Sequence, residues 1–200
     1  PGRAARIGRH RTMIRTDGSA VFHRFLDLPY PSIESGGGVW LTTVDGRRVL
    51  DACSGGAMVA CLGHGVRELA AAAAEQAEKI SYFYNHHFTN EPQERLADRL
   101  LGLTPEMARV RFVSGGSEAN ETALQLARLY HVERGDTDRW RVISPAQSYH
   151  GSSMGTLALT GRPALQEPYT PYLASHLHIP PSTWRTDPTG EAALAEHPPA

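Results

Sequence analysis

A glycine-rich break between a short apolar segment and a long helical segment constrains the fold of this chain most. Residues 109–113 have the composition of a short buried strand, and residues 118–134 continue as a helix. Between them, the triplet 115–117 (Gly-Gly-Ser) allows close approach of an anion to backbone N–H groups that the first helical turn leaves unpaired. The pattern therefore favours a strand–loop–helix unit with an anion site. A plain helix cap formed by Ser117, with Glu121 in the first turn, explains the same residues equally well.

The rest of the chain alternates predicted strands with predicted helices. The predicted strands cover 39–44 and 47–50 around an Asp-Gly turn, then 109–113, 141–144 and 177–179; the predicted helices cover 66–80, 92–103, 118–134, 151–159 and 191–196. Strand–helix–strand order implies parallel pairing and a three-layer αβα architecture. Three strands after the hairpin are too few for a complete sheet of this class, so we expect a truncated chain. Residues 1–50 are predicted to form an N-terminal arm with the β-hairpin, and residues 51–200 the first part of a large domain.

Composition excludes several classes of function. The 200 residues carry a formal net charge of −1, so no basic excess attracts nucleic acid or an anionic membrane. No apolar run approaches the ~20 residues that span a bilayer. Two cysteines, Cys53 and Cys61, cannot form a disulfide framework, which favours a reducing, cytoplasmic setting, and we expect both thiols to be buried and inert.

A second motif, Ser-Tyr-His-Gly-Ser at 148–152, follows the strand predicted over 141–144. Ligands of open α/β sheets gather at the carboxyl ends of strands, where an aromatic ring such as that of Tyr149 could lie against a planar ligand. Taken alone, this motif is better explained by Tyr149 in the core and Gly151 in an ordinary turn.

Together the motifs resemble the class III aminotransferases, which are fold-type I enzymes that depend on pyridoxal 5′-phosphate (PLP). The resemblance covers roughly residues 39–161 and rests on ordered matches: Gly-Val-Trp-Leu at 38–41, Asp-Gly at 45–46, Leu-Asp-Ala-Cys-Ser-Gly-Gly at 50–56, Leu-Gly-His-Gly at 62–65, Tyr-Asn at 84–85 with Phe88, Ser-Gly-Gly-Ser-Glu-Ala-Asn-Glu at 114–121 and Tyr-His-Gly at 149–151. It implies an incomplete PLP-dependent transferase-like large domain preceded by the N-terminal hairpin. It also implies a homodimeric transaminase that moves an amino group from an amine or amino acid to a keto acid or aldehyde.

The resemblance assigns cofactor roles to five residues. The amides of Gly116 and Ser117, with the Ser117 hydroxyl, would hold the cofactor phosphate. Tyr149 would stack on the pyridine ring, and His150 would shape the pocket beside it. Glu121 matches an acidic position near the cofactor, although electrostatic stabilisation of the helix start accounts for it as well.

It also assigns a substrate pocket. Ser54 opens a segment, 54–57, that lies where the family contacts the substrate, although the match there is ambiguous by one residue. Tyr84 and Phe88 fall in a segment that lines the active site, often that of the neighbouring subunit. For both aromatic residues, simple core packing is an equally good alternative.

The missing lysine limits what this chain can do by itself. A transaminase needs a Schiff-base lysine and an aspartate that pairs with the pyridine nitrogen, and the family places both well after the Tyr-His-Gly motif. Lys79 is the single lysine of this chain, and its spacing predicts a solvated side chain paired with Glu75. We therefore expect an N-terminal portion that lacks catalytic residues and is inactive alone. The alternatives are a PLP aminomutase or decarboxylase of the same fold, or a non-catalytic phosphate-binding α/β module.

No metal site is expected from the histidine pairs at 86–87 and at 176 and 178. Neither pair has cysteine or carboxylate partners at ligand spacing, so we expect solvated or hydrogen-bonded imidazoles.

Overall fold

The computed structural model describes residues 12–181. The chain divides into two compact units, Pro1–Asn90 and Glu91–Ala200. The predicted boundary at residue 50 stays a prediction, and the predicted helix at 191–196 lies outside the described residues.

Antiparallel strands make up the first half of the first unit. These strands are β1 (Met13–Ile14), β2 (Tyr30–Pro31), β3 (Ile33–Gly37), β4 (Trp40–Thr43) and β5 (Arg48–Leu50), with β1 paired to β2 and β3–β4–β5 forming one sheet. Between β4 and β5, Gly46 adopts a φ of 82°, a value that residues with a Cβ atom rarely adopt. Its N–H donates to the carbonyl of Thr43 at 2.8 Å. The hydroxyl of the buried Thr43 accepts the Arg47 N–H at 3.0 Å. The predicted hairpin is confirmed.

Helix α1 (Arg67–Lys79) completes this unit and confirms the predicted helix. Alanine, glutamate and glutamine dominate its sequence, which gives it high intrinsic helix propensity. The Lys79 amine donates to Glu75 at 2.6 Å one turn earlier, and both side chains are exposed, as predicted.

The described part of the second unit, residues 91–181, contains four α-helices and one parallel strand pair. The helices are α2 (Glu91–Leu103), α3 (Gly116–Glu133), α4 (Met154–Leu159) and α5 (Pro163–Gln166), and the strands are β6 (Ile143–Pro145) and β7 (Leu177–Ile179). Strands β6 and β7 run parallel with Ile143 opposite Leu177, which confirms the predicted pairing. The buried apolar core of the described chain lies here, in Ala146 and in residues 157–159 of α4. No helix within residues 12–181 is both long and apolar enough to cross a bilayer.

Two sequence predictions about this unit need correction. Residues 109–113 pair with no other strand of the described chain, because apolar composition favours a strand but only a neighbouring strand can satisfy its backbone groups. Helix α4 begins at Met154 rather than at 151, because Gly151 has a φ of 141° and Ser153 is the extended N-cap.

Candidate active site

The N-terminus of α3 presents unpaired N–H groups. Its N-cap is Gly115, whose backbone is extended and which makes no side-chain cap bond. The first helical bond joins the Ala119 N–H to the Gly115 carbonyl at 2.9 Å, so helix geometry gives Gly116, Ser117 and Glu118 no intrahelical acceptor. The alternative in which Ser117 caps the helix is wrong, because the helix begins one residue before it.

Open space surrounds the first helical residue. A Cβ built on Gly116 meets no atom within 4 Å, and its φ is helical rather than positive. Neither local conformation nor packing therefore requires glycine here, which leaves room for a ligand beside the free amides. The Ser117 hydroxyl accepts the N–H of Ser152 at 3.2 Å, and its own proton remains available to donate.

Side chains of α3 hold the loop that carries Tyr149 and His150. The Asn120 amide donates to the His150 carbonyl at 2.6 Å, and Ser117 binds the loop two residues further on. His150 is half-buried; its Nε2 lies 3.0 Å from the Ser148 hydroxyl, and its N–H donates to Thr160 at 3.1 Å. The Tyr149 ring is 56% exposed, so it is not part of the core of the described chain.

Gly151 permits this close contact between loop and helix. A Cβ on Gly151 would lie 2.7 Å from the Ser117 hydroxyl oxygen and would also overlap Thr156. The loop therefore packs directly against α3 at Gly151, in contrast to the open space at Gly116.

Glu121 caps a helix other than its own. Its carboxylate accepts the hydroxyl of Ser153 at 2.7 Å and the N–H of Thr156 at 3.2 Å, and these are the N-cap and third residue of α4. A carboxylate at this position accepts a hydrogen bond from an amide that the helix leaves unpaired, and it interacts favourably with the positive end of the α4 dipole. The structure therefore unites Gly116, Ser117, Glu121 and the 148–153 loop around the start of α3.

The predicted substrate-pocket residues belong to the first unit. Ser54 opens the tight loop Ser54–Met58 and has a φ of 49°. Tyr84 stacks on His86 at a centroid distance of 4.6 Å, and Phe88 meets His87 edge-on at 6.4 Å. Tyr84 is 49% exposed and Phe88 65%, so core packing does not account for either residue in the described chain.

Sequence reasoning missed a hydrogen-bonded Asp51–His64 pair in the first unit. The carboxylate of Asp51 receives His64 Nε2 at 2.9 Å and the backbone N–H groups of Gly55 and Cys53 at 2.6 and 3.3 Å. The hydrogen bond from His64 is the largest of the effects that lower the pKa of Asp51, and the two amides add to it. Both residues lie in matched motifs, at 50–56 and 62–65, but nothing in either motif indicates that two side chains 13 residues apart would meet.

The remaining reactive side chains behave differently from one another. His176 Nδ1 accepts the Val142 N–H at 3.2 Å, and His178 Nδ1 lies 3.0 Å from the Ser144 hydroxyl, so these imidazoles are hydrogen-bonded as predicted. Residues 12–181 gather no three His, Cys, Asp or Glu side chains into a possible metal site. Cys53 and Cys61 are both exposed, against the prediction of buried thiols, because the turns that carry them lie at the surface.

Comparison with known proteins identifies the family. The class III aminotransferase profile matches residues 27–197. An uncharacterized aminotransferase of Schizosaccharomyces pombe is 40% identical over 70% of this chain and 30% of its own length. Acetylornithine aminotransferase 1 of Bordetella parapertussis is 37% identical over 81% of this chain and 40% of its own length. The chain thus spans about a third of the length of the curated relatives it matches.

A solved structure agrees with the sequence matches. The omega transaminase of Pseudomonas jessenii in complex with PMP superposes with a TM-score of 0.76 at 26% identity, covering 82% of this chain and 38% of that one. The predicted fold class is confirmed: the chain forms an incomplete α/β domain of the fold-type I transferases. Because the family profile matches most of its residues, and because relatives such as these two are named aminotransferases, this chain belongs to the class III aminotransferases.

Proposed function

We propose that the gene product carrying this chain is a PLP-dependent aminotransferase that moves an amino group from an amine or amino acid to a keto acid or aldehyde. The observation that carries the proposal is the open N-terminus of α3, tied by hydrogen bonds to the loop of Tyr149 and His150. A helix N-terminus with unpaired amides, hydrogen-bonded to a loop that carries an exposed aromatic ring, suits a ligand with a phosphate and a flat ring.

The residues present fit this cofactor. Three unpaired amides, the free Ser117 proton and the space beside Gly116 are what a phosphate dianion requires. When bound, PLP supplies an electron sink that stabilises negative charge on the carbon bearing the amino group. In this proposal Gly116 and Ser117 would bind the phosphate, and Tyr149 would stack on the ring.

The other residues of the group keep those contacts in place. Hydrogen bonds to Ser148 and Thr160 hold the His150 side chain and backbone, and in this proposal His150 would lie beside the ring. Glu121 holds the start of α4 against α3, and we propose that its carboxylate orients the cofactor pocket rather than exchanging protons. Lys79 pairs with Glu75 on α1, so we propose that the catalytic lysine and the ring-pairing aspartate lie outside this chain.

The first unit supplies substrate contacts in this proposal. Ser54 and the aromatic residues Tyr84 and Phe88 would line the substrate pocket, with the aromatic pair facing a neighbouring subunit. The exposure of both rings supports an interface, because aromatic side chains are enriched in the buried centres of protein contacts. A homodimer in sedimentation at micromolar concentration is the expected result, and a fully active monomer would exclude it. The two exposed free thiols favour a reducing, cytoplasmic location.

The test compares the full-length gene product with the 200-residue chain. Both are titrated with PLP, reduced with borohydride, digested, and assayed for amino transfer with several amine donors. We expect the full-length protein to develop a PLP absorbance band, carry a pyridoxyl label on a lysine other than Lys79, and transfer amino groups. The 200-residue chain should be inactive and poorly soluble, because many of its large apolar side chains are exposed. Turnover by this chain with stoichiometric label on Lys79 would overturn the assignment of catalysis to residues elsewhere.

The full-length protein could bind PLP and transfer no amino group, but release carbon dioxide or move the amino group within the substrate. That result would assign the protein to another PLP reaction instead of transamination. Failure to bind PLP at all would refute the proposed function.

A further inference from the structure

The Asp51 carboxylate gathers three donors at the start of the Ser54–Met58 loop. Its Oδ2 accepts both the Gly55 N–H, at 2.6 Å, and His64 Nε2, at 2.9 Å, while Oδ1 accepts the Cys53 N–H at 3.3 Å. A carboxylate only accepts, so His64 carries its proton on Nε2. The side chains are 9% exposed for Asp51 and 26% for His64, which protects the bond from competing water.

His64 is itself fixed to the hairpin formed by β3 and β4. Its N–H donates to the Gly38 carbonyl at 2.8 Å, and the Gly38 N–H donates back at 3.0 Å. Gly63 and Gly65 on either side have positive φ values of 80° and 71°, and a Cβ on either would lie 2.8 Å from a hairpin carbonyl oxygen. The backbone of His64 therefore has little freedom to shift.

The Ser54–Met58 loop needs such an anchor. Ser54 and Met58 are non-glycine residues with φ values of 49° and 58°, a conformation that persists only where surrounding contacts enforce it. The N–H groups of Gly56 and Met58 both donate to the carbonyl of Cys53, at 3.1 and 3.2 Å. The loop is thus folded around Cys53, whose own N–H is held by Asp51.

We propose that His64 is a positioning residue which, through Asp51, holds the Ser54–Met58 loop in the shape that contacts the substrate. The inference rests on the proposed function, in which this loop lines the substrate pocket. His64 touches neither substrate nor cofactor; it transmits the rigid geometry of the hairpin to Asp51, and Asp51 transmits it to the Cys53 and Gly55 amides. Loss of the imidazole frees Asp51 to rotate towards water and releases those amides.

The experiment compares His64→Ala, His64→Gln and the control His23→Ala in the full-length protein. Glutamine retains an N–H donor that reaches Asp51. His23 is a half-buried histidine of the same unit, hydrogen-bonded to Ser19 at 3.1 Å and stacked on Tyr30. Hydrogen exchange resolved by overlapping peptides that begin at or before residue 50 measures the Cys53 and Gly55 amides. Steady-state kinetics with PLP titration measure the effect on the reaction.

We expect His64→Ala to raise the exchange rates of the Cys53 and Gly55 amides and the KM for the amine donor. Each should rise by about tenfold or more, because the variant loses one hydrogen bond to a charged group. The kcat and the PLP affinity should stay within about twofold, because the cofactor contacts lie on α3 and its loop. His64→Gln should recover most of both effects, and His23→Ala should show neither.

Three results would overturn the inference. Unchanged exchange in His64→Ala would mean that Asp51 holds the loop without His64. Faster exchange with an unchanged KM would mean that the loop held by His64 does not contact the substrate. If His64→Ala lowers both kcat and the melting temperature, and His64→Gln restores neither, His64 has only a structural role. A wild-type protein that binds no PLP and transfers no amino group would refute the proposed function separately, since the exchange comparison needs neither.

Discussion

Replacing Gly116 separates ligand binding from folding, because nothing in the fold requires glycine there. A Cβ at this position meets no atom within 4 Å, and the backbone is helical. Alanine restricts the unfolded chain more than glycine does, so Gly116→Ala should leave stability unchanged or raise it by up to about 1 kcal/mol. The same methyl group occupies the space through which a phosphate would approach the amides of Gly116 and Ser117.

The expected effect on binding follows from the contacts at risk. A hydrogen bond to a charged group contributes about 1.5–3 kcal/mol, so displacing the phosphate from one amide should weaken PLP binding by roughly 10- to 150-fold. Gly116→Leu should weaken it further, since its side chain covers more than one amide. Ser117→Ala removes a single donor and should cost about 1–3 kcal/mol, less than Gly116→Leu.

The assay is a PLP titration of the full-length protein followed by absorbance, with thermal unfolding measured without PLP. Gly102 in α2 provides the matched control, because it is also a helical glycine whose Cβ meets nothing within 4 Å. Gly102→Ala and Gly102→Leu should leave PLP affinity unaltered. Wild-type affinity in both Gly116 variants, or equal losses in the Gly102 variants, would refute the phosphate assignment.

Three further predictions concern the same unit. Tyr149→Phe should keep PLP affinity and activity while Tyr149→Ala lowers both, because stacking needs the ring and not the hydroxyl. Glu121→Ala should lower the free energy of unfolding by about 1–3 kcal/mol in chemical denaturation. Gly155→Ala should destabilise less in the Glu121→Ala background than in wild type, since a Cβ at Gly155 overlaps that carboxylate. Burial lowers the pKa of His176, with a smaller contribution from His178, so the unfolded chain binds this proton more readily and stability should fall as pH drops below about 6.5. His176→Asn, which keeps an acceptor for the Val142 N–H, should reduce that slope.

Each of these has an outcome that contradicts it. If Tyr149→Phe loses as much affinity as Tyr149→Ala, the hydroxyl and not the ring face is what binds. Additive losses in the Glu121 and Gly155 double variant would mean that the two positions do not share a contact. An unchanged pH slope in His176→Asn would show that protonation of this imidazole is not what acid acts on.

Local chemistry explains the elements that the sequence predicts well. The turn at Asp45-Gly46 follows from the positive φ of one glycine, and α1 follows from the helix propensity of its alanines and the Glu75–Lys79 pair. The parallel pairing of β6 and β7 follows from chain order, because a strand that returns after a helical crossover must run in the same direction. In each case the interacting residues are close in sequence or the topology leaves one choice.

The structure decided contacts between distant residues. By sequence, Glu121 is predicted to lie in the first turn of its own helix, α3, yet its carboxylate caps α4. The two groups that it binds there, on Ser153 and Thr156, are 32 and 35 residues further along the chain. His64 lies within hydrogen-bond distance of Asp51 because Gly63 and Gly65, both with positive φ, let the chain pack against the β3–β4 hairpin. Residues 109–113 have the composition of a strand but find no partner strand in the described chain. Composition and spacing specify what a segment prefers by itself, whereas a cap, a side-chain hydrogen bond or a strand needs a partner that only tertiary packing brings within hydrogen-bond distance.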